Sequence, residues 1–519
     1  MRLIFIIFFS SIFLFCGCQS AEPQTFDVLI VNGNVFTGEG DSPQILSIGI
    51  LADTIAWIGT SKDIRADSYI DASGLIVAPG FIDPHTHTLE DMADSAGRIN
   101  VPFLMQGVTT VVAGNDGGGP MRIANTLSYL EKNGMGTNMA LYVGHGTIRN
   151  RVLGAADRNP TEEELAQMQE LVRQAMEEGA LGLSTGLYYA PGSFAKTEEV
   201  IELAKIVSEY GGIYDSHIRD ESSYSIGLLG SVEEVIQIAR GAKIPAHIAH
   251  IKALGADVWG KSSEVVKMIE KAHAEGLVIS ADQYPYLASG TSIEAALLPR
   301  WTMTDSRDAY LKRLSDVSLL PRIKEETREN LRRRGGAETI LITESRDSSL
   351  LGKTLAQIAA YRGADPVDVA LDIARKGGAG VASFNMNPDD LIYFMQQPWV
   401  MTGSDGSSGH PRKYGTFPLK YRTFVREKKV LTEAEFIYKS SGQVAETLGI
   451  ARRGFLRKGY FADIIIFSPE TFTAKADFAQ PQLLAEGLKY SWINGKMVIA
   501  EGKYTGEMPG KALRRKINN

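Results

Sequence analysis

Cysteine is almost absent. The 519-residue chain has two, Cys16 and Cys18, both at the end of its one strongly apolar segment, so the remainder carries no thiol and no disulfide framework. Positive charge is also short: 54 Lys and Arg against 61 Asp and Glu give a net charge of −7. That leaves no basic reserve for gripping phosphate backbones and argues against nucleic acid as a partner. After position 20 no apolar run approaches the ~20 residues of a spanning helix. Only 20 prolines, with 44% apolar and 22% charged residues, exclude wholesale disorder. What remains is a globular chain long enough for one large enzyme core and a smaller companion.

The leader, Met1 to Phe15, has Arg2 as its only charge and apolar stretches at Leu3 to Phe9 and Ile12 to Phe15, the pattern of a cleaved export signal. Its end, Leu14-Phe15-Cys16-Gly17-Cys18, resembles a bacterial lipoprotein box, with Cys18 as the lipidated residue. Gln19-Ser20 resembles outer-membrane sorting. The expectation is an exported protein, lipid-anchored in the outer membrane and facing the periplasm or exterior. An ordinary signal peptide or a short membrane anchor is the alternative.

Short β-rich runs with turn signals fill Phe26 to Val77 and recur from Asp463 to Ala500, where Asn494-Gly495 marks a hairpin. The two ends are expected to complete one small β-sandwich domain, over 22–78 and 430–510. Between them, over 79–429, apolar strand-like stretches alternate with helical segments, the signature of βα units around a parallel sheet. Eight candidates are Gly80 to His87, Val108 to Asp116, Met139 to His145, Ala180 to Thr185, Gly212 to His217, Ile244 to Ile251, Leu277 to Asp282 and Trp399 to Asp405. Eight predicts an α/β fold, a (β/α)8 TIM barrel. Thr161 and Ser231 are placed as helix caps. The long gap before the last strand reads as an insertion at about 291–352, either covering the site or decorating the periphery.

In such a barrel the active site lies where strands end. His85 and His87 are two apart, so both imidazoles face one side of the first strand. Other strand ends offer Asn115-Asp116, His217, His250 with Lys252 beyond it, Asp282 and Ser404-Asp405. Neutral imidazoles with carboxylates suit Zn²⁺, and an open position lets the metal activate water. His247, three before His250, is expected on the opposite face beneath helices, and His273 exposed on a helix. His145 either reaches the pocket or packs. Asp282 either orients a ligand or makes a structural hydrogen bond, and Glu90, Asp91 and Asp94 read as a solvated loop.

Ala78-Pro79-Gly80-Phe81-Ile82-Asp83-Pro84-His85-Thr86-His87, His217, His250 and Ser404-Asp405 resemble the amidohydrolase superfamily. Gly182-Leu183-Ser184-Thr185-Gly186-Leu187, His217-Ile218-Arg219 and His410-Pro411-Arg412 bring the chain nearer its D-aminoacylase (N-acyl-D-amino-acid deacylase) family. The resemblance implies one metal position at His85, His87 and Asp405 and a tighter one involving His217 and His250. It implies that Asp405 is the general base: water yields a proton to Asp405 and attacks a metal-polarised amide carbonyl, and the proton passes to the departing amine. Lys252, Tyr284, Ser289 and Arg412 match positions around the substrate carboxylate. The small-molecule substrate implied is an N-acyl-D-amino acid, with a dipeptide, a cyclic amide, or an inactive tethered binding protein as alternatives.

One position departs from the family. Asp116 stands where a cysteine is usual, and oxygen is a harder donor than thiolate sulfur. The change bears on metal identity and on whether one or two Zn²⁺ ions are held; Asp116 is the evident bridging candidate, with a turn residue bonding the backbone beside Gly117-Gly118-Gly119 as the alternative.

Overall fold

The computed structural model describes residues 25–60 and 64–515; the leader and Cys18 lie outside the described residues. Eight parallel strands form the barrel: Phe81–Thr86, Val108–Ala113, Asn138–Leu141 resumed as Val143–Gly144, Gly182–Gly186, Ile213–His217, Ala246–Ile248, Ile279–Gln283 and Val400–Thr402. Helices cover the outside and side chains fill the inside, which is why these runs are buried along their whole length. The ring closes where the Asp405 N–H donates to the His85 carbonyl at 2.9 Å and the His87 N–H to the Gly406 carbonyl at 3.0 Å. Closure thus joins the two strand ends that carry the first histidines and the last carboxylate.

Thr161 does cap its helix, Glu162–Glu177: its hydroxyl accepts from the Glu164 N–H while the Glu164 carboxylate accepts from the Thr161 N–H. Ser231 does not. It is buried inside helix Gly227–Ala242, one turn beyond the start. Asp220 serves that end instead, accepting from the N–H groups of Ser222, Ser225 and Gly227. A carboxylate seven residues upstream of the helix leaves no capping pattern in the sequence.

Both chain ends meet in one nine-stranded sheet, with Ile76–Pro79 paired antiparallel to Ile464–Phe467. Ile30, Ile48, Ile50, Ile464, Ile466 and Trp492 pack in its core. Helices Glu433–Ser440 and Gly442–Leu448 pack against the first barrel strand, so the barrel continues past 429 before the sheet resumes. The insertion also reaches further than 291–352. Its antiparallel sheet joins Ala288–Ser292, Gly380–Phe384 and Ile340–Glu344. Five helices, from Ile293–Leu297 to Pro366–Arg375, pack on it around a separate apolar core.

Candidate active site

All six expected ligands converge at the C-terminal mouth of the barrel. His85 Nε2 lies 3.4 Å from Asp116 Oδ1 and 3.6 Å from Asp405 Oδ1. His87 Nε2 is 3.0 Å from Asp405 Oδ1 and 3.5 Å from Asp116 Oδ2. His250 Nε2 reaches Asp116 Oδ1 at 3.8 Å and the His217 Nδ1 at 2.8 Å. Asp116 therefore turns one oxygen to His85 and His250 and the other to His87, between the two halves of the cluster.

The backbone pays locally for this convergence. Asp116, His250 and Asp405 all have positive φ, 57°, 36° and 48°, a region that non-glycine residues occupy only when surrounding structure holds them. The bend after Ile248 also explains His247. Parity along a continuous strand put it under the helices, but the strand ends before His250. His247 instead bonds Ser280 and Asp282, each at 2.9 Å, in the buried layer beneath the cluster. Asp282 Oδ2 lies 3.8 Å from His85 Nδ1, which sets its charge behind that imidazole.

Several buried donor atoms have no hydrogen-bond partner: both His85 ring nitrogens, His217 Nε2 and Asp116 Oδ1. Orphaned polar atoms are costly in a protein interior, and here they converge. Donor atoms of His85, Asp116, His250 and Asp405 all lie within 4.8 Å of one another, as do those of His217, Glu221 and His250. Burial disfavours charge on His85, but Asp116, Asp282 and Asp405 outweigh it and raise its pKa to about 10. Three carboxylates around one imidazole call for positive charge, which a divalent cation fits with nitrogen and oxygen donors. His217 is held neutral: burial, helped by His250 and Lys252, lowers it to about 3. Burial opposes ionisation of Asp405, yet Arg412, His250 and His87 keep it well below the usual carboxylate range.

Two cations face this cluster. Arg412 Nη1, at the start of helix Arg412–Lys420, is 2.7 Å from Asp405 Oδ2. Lys252 Nζ donates to Glu221 Oε1 at 2.5 Å and lies 2.8 Å from His250 Nδ1. Both approach the Tyr284 ring, at 5.0 and 5.7 Å, and the buried Tyr284 hydroxyl is unpartnered. Ser289 comes from the first strand of the insertion. These groups line a cavity of about 720 Å³ whose roof includes Thr343, Glu344 and Val381, so the insertion covers the site.

Sequence reasoning missed Glu221 and Tyr189. Glu221, four residues after His217, is buried against His250 and Lys252; a carboxylate so close to a candidate ligand was the available signal. Tyr189 stacks on His217 with centroids 4.8 Å apart. His145 does not enter the cavity: it begins helix His145–Leu153 and bonds Glu199, which also takes Arg149. His273 is half-buried and bonds the Ile279 carbonyl. Asp91 is paired to Lys413 at 2.8 Å rather than merely solvated.

The chain matches the Amidohydro_3 model of the amidohydrolase family over residues 68–499, and it belongs to that family. It is 33% identical to the D-aminoacylase of Alcaligenes xylosoxydans xylosoxydans, over 96% of this chain and 99% of the relative. A D-aminoacylase crystal structure superposes with TM-score 0.81 at 30% identity, over 94% of this chain and all of that one. The N-acyl-D-glutamate deacylase of Bordetella bronchiseptica, solved with zinc and a phosphonate mimic of the tetrahedral intermediate, gives 0.81 at 29%, covering 95% and 100%.

Proposed function

We propose that this protein hydrolyses the amide bond of N-acyl-D-amino acids, releasing a carboxylate and a free D-amino acid. The observation that carries this reading is an ionised carboxylate, Asp405, set between a histidine cluster and a cationic wall in one covered cavity. The D configuration is supported by the relatives, which include a D-aminoacylase and an N-acyl-D-glutamate deacylase.

His85, His87 and Asp405 would hold one metal position and His217 and His250 the other, with Asp116 the residue between them. Zn²⁺ is the ion this donor set and the zinc-bound relative support. Bound there, it supplies the Lewis acidity that polarises a carbonyl and makes water acidic. Arg412 and Lys252, with Tyr284 and Ser289, hold the substrate carboxylate, which orients the amide toward Asp405. Asp405 takes a proton from the attacking water and returns it to the departing nitrogen. The insertion roofs the cavity through Thr343, Glu344 and Val381. The leader supports export, with Cys18 as a lipid attachment point at the outer membrane.

The test is amino acid release from paired N-acyl-D and N-acyl-L substrates by purified protein of measured zinc content. Release from the D series, lost on chelation, is expected. Metal-loaded protein that leaves every N-acyl-D-amino acid intact overturns the reading.

A further inference from the structure

A separate cavity, of about 1030 Å³, lies between two barrel loops and the insertion. Tyr188, Ser193 and Tyr224 line it from the barrel, and Arg300, Trp301 and Arg333 from the insertion. It borders the active cavity at Tyr188, which lines both, whereas Lys252 and Arg412 line only the active cavity. Arg300 covers the Tyr188 ring at 3.7 Å, and Arg334 donates to its hydroxyl at 3.0 Å.

Three guanidinium groups stand around the Tyr224 ring: Arg333 at 5.5 Å, Arg300 at 5.8 Å and Arg334 at 5.9 Å from its centroid. Arg333 has Glu329 at 3.4 Å, a carboxylate that also takes Arg332. Arg300 and Arg334 make no ion pair among the described residues. Arg300 donates to the Tyr188 and Ala295 carbonyls, and Arg334 to the Ala296 carbonyl and to the Ser383 and Tyr188 hydroxyls. Neutral acceptors satisfy these hydrogen bonds without balancing the charge. Three buried atoms of the lining also lack a partner: the Tyr224 hydroxyl, the Ser193 hydroxyl and Arg333 Nε. Each can donate, so what they lack in common is an acceptor.

Unbalanced guanidinium groups and orphaned donors on one cavity point to an oxyanion. Its charge is limited by the rest of the lining. Arg219 and Arg322 are already paired, with Glu234 and Glu326. The exposed wall carries Asp157, Glu325 and Lys196, none of them ion-paired among the described residues, and this excess of acid disfavours a multiply charged ligand. A planar, singly charged carboxylate also matches the guanidinium fork.

We propose that this cavity is a second, non-catalytic binding site and that it takes the carboxylate of a small organic acid. The site does not depend on the deacylase reading. That reaction would supply the group from two sources, the released acid and the released amino acid, and both are compared.

The zinc-loaded full chain is titrated with sodium acetate and with D-alanine at constant ionic strength. Fluorescence of Trp301, which lines this cavity and not the active one, is read against a Trp301→Phe control. A saturable change with Kd near ~1 mM is expected for at least one of the two. Arg300→Gln should weaken it about tenfold or more, and so should Tyr224→Phe, which removes only an unpartnered hydroxyl and keeps the test independent of the Arg300 backbone bonds. Lys252→Met, in the active cavity, should leave it in place. A response that survives Tyr224→Phe and Arg300→Gln but disappears in Lys252→Met belongs to the active cavity and overturns the proposal. So does the absence of saturation below ~100 mM, or phosphate binding more tightly than either carboxylate.

Discussion

The Glu221–Lys252 pair offers a quantitative test of how the site is held. Their side chains are only 7% and 6% exposed, with Nζ 2.5 Å from Oε1 and both groups against His250 Nδ1. Removing one member of such a buried pair strands the other charge and costs ~3–5 kcal/mol, whereas removing both leaves no stranded charge. Glu221→Gln and Lys252→Met, nearly isosteric, are each expected to lose that much in urea unfolding of chelated protein followed by tryptophan fluorescence. The double variant should lose less than the sum, by at least ~2 kcal/mol. Additivity within ~0.5 kcal/mol would refute the pairing as an energetic unit. A kinetic arm separates stability from binding. A charge-assisted bond from Lys252 to the substrate carboxylate contributes ~1.5–3 kcal/mol, so Lys252→Met should raise KM roughly 10- to 150-fold. An unchanged KM would remove Lys252 from the carboxylate clamp.

Three further outcomes are expected. Asp405→Asn keeps the fold and lowers kcat by about 10²- to 10⁴-fold at constant zinc content, the range for loss of general acid–base catalysis; a kcat within tenfold of wild type contradicts the base assignment. Asp116→Ser, which removes the carboxylate facing His85, His87 and His250, should reduce zinc bound per chain by elemental analysis, with no loss if Asp116 is only a turn residue. Asp257, paired with Arg332 of the insertion at 2.8 Å, has its pKa lowered to about 2 by hydrogen bonds from Arg332 and Ser223. Its folded pKa lies below the unfolded one, so its stabilisation is complete above ~4 and is lost as pH falls through about 2. Asp257→Asn should flatten that acid limb by less than ~1 kcal/mol, because Arg332 is half exposed. An unaltered limb in acid-unfolding curves counts against the pair.

The sequence by itself determined the barrel, the β-domain from both ends and the convergence of the six candidate ligands. Apolar runs buried on both faces are a local signal, and residues at the ends of parallel strands share one rim whatever the loops do. His85 and His87 were legible because two-residue spacing and strand closure act together. Only the tertiary structure decided the rest. The side of His247 turned on a bend after Ile248, the cap of helix Gly227–Ala242 on a remote Asp220, and the place of Glu221 on meeting Lys252 across two loops. The insertion's role was equally unreadable: its strands pair over nearly a hundred residues of chain, and neither composition nor periodicity says which surface such a sheet will cover. Periodicity reports which face of an element is buried, but contacts between elements distant in the chain depend on where the whole core sets them down.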